Sequence, residues 1–266
     1  MTSDHLAAAL AAVDAAGVGL RTLFRSGVRA EQKEASSPIV TEADRASERA
    51  IRAVLEDRTP DVGILGEELP TVRPEAPMRW IIDPIDGTIA FACGKATFTT
   101  LLALTDHARP VLGIVDQPIL EERWVGTSEG TTFICGPTET RCATRTGISL
   151  AQARMASTSP AFFKGRERVL ERLTDAVHVV SWGGDAYNVG LLALGHLDLI
   201  VETGLEPYDY APWAPIVRGA GGRVTDWAGR DLDRVDGRAD VVACGDPALL
   251  DAVLPLLQSE AATHAP

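Results

Sequence analysis

Residues 80–88, with the sequence WIIDPIDGT, constrain the fold more than any other part of the chain. An apolar run stops at Asp83, and a second carboxylate, Asp86, follows three positions later. This pattern predicts a buried strand that carries charge to the edge of a sheet. Pro84 has no N–H and fixes its own φ, so the strand cannot simply continue through it. Gly87 permits a sharp turn and the close approach of a ligand to the backbone.

Residues 80–88 alone are compatible with two interpretations. In the first interpretation they form an acidic turn, since Asp, Pro and Gly are ordinary turn residues. Alternatively, they form a site for a divalent cation and a phosphate, because free N–H groups at the start of a following helix bind anions. Two carboxylates beside an anion require a cation between them. The rest of the chain has to decide between these interpretations.

Composition excludes several classes of protein. The 266 residues are 45% hydrophobic and 23% charged, which suits one large domain or two lobes and excludes a disordered chain. A net charge of −12 argues against a nucleic-acid partner. We recognise no signal peptide, no apolar run of membrane-spanning length, and no metal or disulfide spacing among the four cysteines. A cytoplasmic protein without a membrane partner is therefore expected.

The first half of the chain predicts two helices followed by adjacent strands. Apolar periodicity indicates helices over residues 4–25 and 42–56, the second capped by Thr41, with a polar loop over 33–44 between them. Strands are predicted at 62–65, 80–82, 97–105, 111–116, 123–127 and 130–135. Adjacent strands favour a largely antiparallel or mixed sheet, with the two helices covering one face.

The second half alternates strands with helices. Strands are predicted at 153–157, 177–181, 197–202, 222–225 and 241–243, and helices at 166–173, 185–194, 209–219 and 247–257. The polar segment 136–150 is a candidate boundary. We therefore expect an N-terminal α+β lobe (1–145) and a C-terminal α/β lobe (146–266), with a frayed tail from Ser259.

Acidic residues stand where predicted elements begin or end: Asp44, Glu67, Asp83, Asp86 and Asp209. Mg²⁺ prefers such oxygen ligands, and two ions about 4 Å apart can clamp a phosphoryl transfer. Asp83, at a strand end, is the natural carboxylate to bridge them. The structural alternatives are a helix-dipole role for Asp44 and a solvated turn at Glu67 and Glu68. Because neighbours on a strand face opposite sides, at most one of that pair is expected to face the site.

Three motifs in this order resemble those of the inositol monophosphatase family. They are GEE at 66–68, DPIDGT at 83–88, and YDYA at 208–211 continuing to GAGG at 219–222. Each motif is weak alone, but the ordered set spans nearly the whole chain. The resemblance implies a layered αβαβα sandwich in which the two lobes form one catalytic unit. It also implies a Mg²⁺-dependent phosphomonoesterase acting on a small phosphorylated metabolite, usually as a homodimer.

The same resemblance implies metal ligands. Glu67, Asp83 and the carbonyl group of Ile85 would hold one Mg²⁺. Asp83, Asp86 and Asp209 would hold a second. A third, weaker ion is often placed near Glu67.

Catalytic roles follow from the resemblance as well. Thr88, with Asp44 as its partner, would orient and deprotonate the attacking water, and Glu67 is counted with them as catalytic. The N–H groups of Gly87 and Thr88 would receive the phosphate. The reaction would be a direct in-line attack by metal-activated water, with no phosphoenzyme.

Other segments resemble the histidinol-phosphatase branch of the family: GIVDQP at 113–118, ERWVG at 122–126, WGGDAY at 182–187 and GLEPYD at 204–209. Histidinol phosphate carries an ammonium and an imidazole group, so its pocket should offer acids. Asp185, at a helix start, and Glu202, at a strand end, are available, although each also fits a plain surface position. The predicted substrate contacts are Asp86, Gly183, Gly184, Asp185, Glu202 and Asp209.

One position departs from that branch. A lysine usually follows Asp-Gly-Thr, whereas this chain has Ile89, and Lys95 could replace the lost charge. Neither residue is a predicted metal ligand, so activity is expected to survive. Two alternatives stay open: a phosphatase of inositol 1-phosphate or another small sugar or metabolite phosphate, and a metal- or ligand-binding regulator without catalysis. The presence of both Asp44 and Thr88 argues against the regulator.

Overall fold

The structure, a computed structural model, describes residues 1–26, 30–32 and 39–258. Most of the predicted loop, residues 33–38, and the predicted frayed tail lie outside the described residues, as does the side chain of Thr41. The helices in the described residues are α1 (Ser3–Leu23), α2 (Glu42–Arg58), α3 (Thr88–Ala92), α4 (Glu167–Ala176), α5 (Tyr187–Ala193), α6 (Pro207–Tyr210), α7 (Trp213–Gly219) and α8 (Pro247–Gln258).

The first half of the chain builds a mixed sheet, as predicted. Its strands are adjacent in chain order: β3 (Gly63–Gly66), β4 (Met78–Asp86), β5 (Thr99–Asp106), β6 (Arg109–Gln117), β7 (Glu122–Thr127), β8 (Gly130–Cys135) and β9 (Thr138–Arg141). Strand β3 is parallel to β4, and the other pairs are antiparallel. The short strands β1 (Ala30–Gln32) and β2 (Ile39–Thr41) pair with each other. Strand β9 was not predicted, because its residues are all exposed and carry no apolar pattern.

The second half builds a five-stranded mixed sheet in the order β11-β10-β12-β14-β13. Its strands are β10 (Arg154–Ser157), β11 (Val179–Trp182), β12 (Leu199–Leu205), β13 (Arg223–Asp226) and β14 (Ala239–Cys244). Strand β12 pairs with β10 in parallel and with β14 in antiparallel orientation. This sheet lies after residue 145 and the larger sheet before it; the division into two lobes stays a prediction.

The elements stack as the αβαβα sandwich that the sequence led us to expect. Helices α1 and α2 cover one face of the larger sheet, α5 and α7 lie between the sheets, and α4 and α8 cover the outer face of the smaller sheet. Strand β4 shows why. Trp80 and Ile82 face α1 and α2, whereas Ile81 faces the central layer, and all three are buried. Burying each such side chain stabilises the fold by about 1.5–3 kcal/mol.

Helix α1 corrects one expectation from the sequence. Its 21 residues have a mean hydropathy of 1.5, so by length and composition the helix could cross a membrane. In the structure, however, Ala8, Ala12 and Val13 are fully buried in the core with α2 and the larger sheet. A core helix passes the same length-and-hydropathy test, so this test alone is weak evidence for a span.

Strand β4 does not end at Asp83, where the sequence placed a strand end. It continues to Asp86, and its register against β5 shifts between Asp83 and Asp86. Pro84 lies within this irregularity, where its missing N–H removes no regular ladder bond. Its carbonyl oxygen accepts a hydrogen bond from the Thr100 hydroxyl at 2.9 Å. The bulge therefore lets one strand carry both acids.

The helix predicted over 209–219 is divided into α6 and α7. Pro212 stands at the break, because it has no N–H to continue the hydrogen-bond ladder. Asp209 consequently lies in the first turn of a four-residue helix, α6, which packs against β4.

Candidate active site

The predicted metal ligands come from three elements that meet at the end of β4. Asp83 is only 2% exposed there. Glu67 directly follows β3, and its N–H donates to the carbonyl oxygen of Ile82 at 3.2 Å, which places it beside Asp83. Asp209 lies in α6, against β4 and β5. Strand pairing and helix packing thus bring together acids that are far apart in sequence.

The carboxyl group of Asp83 is surrounded by other acids. Burial is the largest cause that raises the pKa of Asp83 well above its ordinary value, and the negative charge of its neighbours is the second. These neighbours are Glu67, Asp86, Asp209 and Asp44. An ionised carboxylate in such surroundings is stabilised by a cation placed among the acids.

Asp86 connects the larger sheet to the central helical layer. Its Oδ2 accepts hydrogen bonds from the N–H of Ala186 at 2.7 Å and from the hydroxyl of Thr99 at 3.2 Å. Desolvation, followed by the charge of Asp185, raises the pKa of Asp86 well above its ordinary value, and both hydrogen bonds oppose this rise. The side chain of Asp86 is therefore held in one orientation, and its ionised form is destabilised by burial and by the charge of Asp185.

Asp209 is held by the backbone at the start of α6. Its Oδ2 accepts a hydrogen bond from the N–H of Glu206 at 2.7 Å. Desolvation raises the pKa of Asp209 to about 7, although that hydrogen bond and the charge of Arg238 work in the opposite direction. The charges of Glu206 and Asp185 add to the rise.

The donor set fits a hard divalent cation. It consists of carboxylates that raise one another's pKa, and Mg²⁺ prefers oxygen ligands of this kind. In the described part of the chain, no three Asp, Glu, His or Cys side chains lie as close together as the ligands of a bound ion. The metal-ligating roles assigned from the sequence remain predictions.

Thr88, Ile85 and Asp44 lie around the same strand end. The Thr88 hydroxyl donates to the Ile85 carbonyl oxygen at 3.1 Å, and the Ile85 N–H donates to Asp83 Oδ1 at 3.1 Å. A carbonyl oxygen has two lone pairs, so that of Ile85 can accept this bond and still bind a cation. Asp44 is buried in the first turn of α2 and adds to the negative charge around Asp83.

Gly87 separates these acids from α3. Its φ of 81° lies in the left-handed region that favours glycine. A β-carbon at this position would lie 2.9 Å from Oδ2 of Asp185 and 3.3 Å from the Cα of Phe98. Both the backbone conformation and the space therefore require glycine at the predicted phosphate-binding turn.

A second group of acids lies beside Gly87. Gly183, Gly184 and Asp185 have consecutive positive φ values of 85°, 98° and 42°, which form a tight turn that holds Asp185 against Gly87. Desolvation raises the pKa of Asp185, and a hydrogen bond with Thr158 opposes the rise. The structure thus places the predicted substrate residues of this turn next to the predicted phosphate site.

Glu202, at 2% exposure, belongs to this second group. Its Oε1 accepts hydrogen bonds from the N–H and the hydroxyl of Thr158, at 2.7 and 3.0 Å. Burial raises the pKa of Glu202 to about 8; the bonds from Thr158 lower it and the charge of Asp185 raises it. Thr158 therefore links both acids, a role that we did not predict because a single threonine between polar residues has no sequence signature.

Ile89 and Lys95 occupy the surface of this region. Ile89, in α3, is 55% exposed, and Lys95 lies exposed in the turn after α3, where its N–H donates to the Ala90 carbonyl oxygen at 2.8 Å. The idea that Lys95 replaces the usual lysine stays a prediction.

The sandwich fold, with acids from three elements next to a glycine turn, fits a metal-dependent phosphomonoesterase. The model of the inositol monophosphatase family matches residues 2–262. The chain belongs to the inositol monophosphatase family and is a phosphoric monoester hydrolase that acts on phosphorylated small molecules. Enzymes of this family are metal-dependent, generally with Mg²⁺.

Several relatives show the same family. The chain is 39% identical to the bifunctional phosphatase IMPL2 of Arabidopsis thaliana, with 89% of this chain and 70% of that protein covered. It is 34% identical to the histidinol-phosphatase of Mycobacterium tuberculosis, with 86% and 90% covered. The solved structure of an inositol monophosphatase from Zymomonas mobilis matches with a TM-score of 0.86 and 42% identity, covering 97% of this chain and 100% of that one.

Proposed function

We propose that this enzyme hydrolyses L-histidinol phosphate to L-histidinol and inorganic phosphate. The observation that carries the proposal is the second acidic group, Asp185 and Glu202, which lies beside the glycine turn. The ammonium and imidazole groups of histidinol complement these acids, and a bound cation would favour their ionised forms. The similarity to a histidinol-phosphatase supports the same substrate.

The residues of the chain perform distinct parts of the reaction. Glu67, Asp83, Asp86, Asp209 and the Ile85 carbonyl would hold Mg²⁺, which would supply positive charge to the phosphate and lower the pKa of bound water. The Thr88 hydroxyl, which donates to the Ile85 carbonyl, keeps a lone pair to accept a hydrogen bond from the attacking water, and Asp44 takes up the water's proton. The N–H groups of Gly87 and Thr88 bind the phosphate. The water oxygen bonds to phosphorus as the ester P–O bond breaks, and the departing alcohol oxygen takes a proton from solvent, so no phosphoenzyme forms.

A second candidate substrate is inositol 1-phosphate or another small sugar phosphate. The observation that favours it is the close match to a solved inositol monophosphatase. A polyol needs neutral hydroxyl-binding groups rather than two further acids, which is why we rank it second. The non-catalytic regulator considered from the sequence finds no support, since the family and the relatives are phosphatases.

A substrate panel tests the proposal. Purified enzyme is assayed for phosphate release from L-histidinol phosphate, inositol 1-phosphate, fructose 1,6-bisphosphate and a nucleoside 3′,5′-bisphosphate, with and without Mg²⁺ and Li⁺. We expect kcat/KM to be highest for L-histidinol phosphate by at least about 100-fold, because a site whose buried polar groups pair with one substrate rejects an analogue that leaves them unpaired. A higher kcat/KM for inositol 1-phosphate would reject the substrate and leave the enzyme class intact.

We also propose that the enzyme is a cytoplasmic homodimer with two or three Mg²⁺ ions per site. Light scattering during gel filtration measures the mass in solution, and calorimetric titration of metal-free enzyme counts the ions. A monomer, or a single ion per chain, would contradict the corresponding part of the proposal.

A further inference from the structure

Helix α2 presents a buried ion pair to the loop that carries Glu67. Glu48 and Arg52 lie one and two turns beyond Asp44 on the same helix face, and Glu48 is fully buried while Arg52 is 7% exposed. Arg52 Nε donates to Glu48 Oε1 at 2.7 Å. A charged pair on the core-facing side of a helix is unusual, because burying both ions costs several kcal/mol of desolvation.

Both side chains of this pair also bind the backbone of the loop. Glu48 Oε2 accepts a hydrogen bond from the N–H of Glu68 at 2.7 Å. The guanidinium of Arg52 donates to the carbonyl oxygens of Leu69 at 3.0 Å and Pro70 at 2.9 Å. Three consecutive loop residues are thus attached to one helix turn by charge-assisted bonds, which are stronger than neutral ones.

The residue before Glu67 is shaped for this contact. A β-carbon on Gly66 would lie 1.9 Å from Glu48 Oε1 and 2.9 Å from Arg52 Nη2. Glycine at this position therefore lets the carboxylate and the guanidinium approach the strand end from behind. On the other side, the Glu67 N–H is bonded to Ile82 of β4.

We infer that Glu48 and Arg52 are positioning residues that hold the Glu67 loop in its metal-binding conformation before the metal arrives; this rests on the proposed role of Glu67 as a ligand. Glu67 directly precedes the three loop residues that are bonded to α2, so its Cα position depends on the bonds at Glu68, Leu69 and Pro70. Neither Glu48 nor Arg52 has to touch the metal or the substrate. Outer residues that orient ligands in this way tune metal affinity.

The test uses the substitution Arg52→Met, which keeps the length of the side chain and removes all its donors. We expect calorimetry to show Mg²⁺ binding weakened about tenfold, the lower end of what loss of an outer-shell partner costs. At saturating Mg²⁺, kcat and the KM of the substrate should stay within about twofold, because no transition-state contact is lost. Hydrogen exchange of residues 63–72 in the metal-free protein should become faster.

Arg49→Met is the matched control. Arg49 lies on the same helix, is half-exposed, and pairs only with exposed Glu42 among the described residues. Its substitution should change neither Mg²⁺ affinity nor the exchange of residues 63–72. Arg52→Lys retains the positive charge but not the planar fork, so it should give an intermediate loss and serves as the readout if Arg52→Met does not fold.

Unchanged Mg²⁺ affinity together with unchanged hydrogen exchange in the Arg52 variant would overturn the inference. So would a fall of kcat at saturating Mg²⁺ with normal metal affinity. Metal binding and exchange are measured without substrate, so the result is independent of which phosphate ester the enzyme hydrolyses. If wild-type protein binds no Mg²⁺, the proposed metal site fails instead.

Discussion

The two acidic groups of the site differ in how they are built. Glu67, Asp83 and Asp86 lie at strand ends of the larger sheet and surround one another. Asp185 and Glu202, by contrast, are held by Thr158 and lie toward the smaller sheet. The first group suits the phosphate chemistry that the whole family shares, whereas the second is placed where the rest of the substrate would lie. The comparison predicts that reaction type and substrate choice reside in separate parts of the fold.

The largest effect on activity is expected for a substitution in the first acidic group, at Asp83. Asp83→Asn should lower Mg²⁺-dependent phosphate release about 1,000-fold, a cost comparable to removing a central electrostatic element of an active site. The metal-free variant should be at least as stable as wild type, because the substitution removes a buried charge that other acids repel. Phosphate assays and thermal unfolding with a chelator measure both. Asp106→Asn, at the exposed end of β5, is the control. Near-normal turnover in Asp83→Asn would contradict the metal role.

The next effect concerns the pH dependence of the stability of the metal-free protein, which we expect Glu202 to influence. Burial raises the pKa of Glu202 to about 8, whereas an unfolded glutamate titrates near about 4.3. The folded state therefore binds this proton more tightly, so the stabilisation is complete below about pH 4.3 and is lost as pH rises through about 8. The free energy of unfolding of wild type should therefore fall between about pH 5 and about pH 8, and Glu202→Gln should make this fall smaller by roughly 3 kcal/mol.

Urea unfolding of the metal-free protein at about pH 5 and about pH 8 measures this difference. Glu56→Gln, at an exposed position of α2, should leave the decline as it is in wild type. Equal declines in Glu202→Gln and wild type would show that the second group does not titrate as its burial implies.

A smaller effect distinguishes substrate choice from chemistry. Asp185→Ala should reduce kcat/KM for L-histidinol phosphate about 30-fold, because the substrate's cation loses a charged partner, and should change that for inositol 1-phosphate only slightly. Steady-state assays with both substrates give the two ratios. Asp175→Ala, an exposed acid on α4, serves as the control. An equal loss of kcat/KM with both substrates would show that Asp185 contributes to the shared chemistry rather than to substrate choice.

The smallest effect on kcat/KM is expected for a substitution at exposed Ile89, close to the first acidic group. Ile89→Lys restores the cation that the histidinol-phosphatase branch usually carries, and should raise kcat/KM about threefold at low ionic strength. Because Ile89 is 55% exposed, salt should screen most of the gain. Assays at low and high salt measure it, with Ile89→Gln as the uncharged control. A salt-independent gain would point to packing rather than charge.

Much of the architecture could be predicted from local patterns. The alternation of Trp80, Ile81 and Ile82 between two apolar layers follows from strand geometry, and the periodicity of α1 and α2 follows from helix geometry. The end of β4 could not be predicted in this way. Pro84 looks like a strand terminator in sequence, and only the paired strand β5 shows that a bulge accommodates it.

By itself the sequence determined the family and the layered fold, through three motifs in a fixed order. It also predicted the acids of the first group, because those acids stand at the ends of strongly apolar elements. Only the tertiary structure decided which groups bind each buried acid. The bond from Ala186 to Asp86 spans 100 residues, that from Thr158 to Glu202 spans 44, and that from Glu68 to Glu48 spans 20. Periodicity tells which face a residue occupies within its own element; the partner across a fold depends on how elements pack, which no local pattern records.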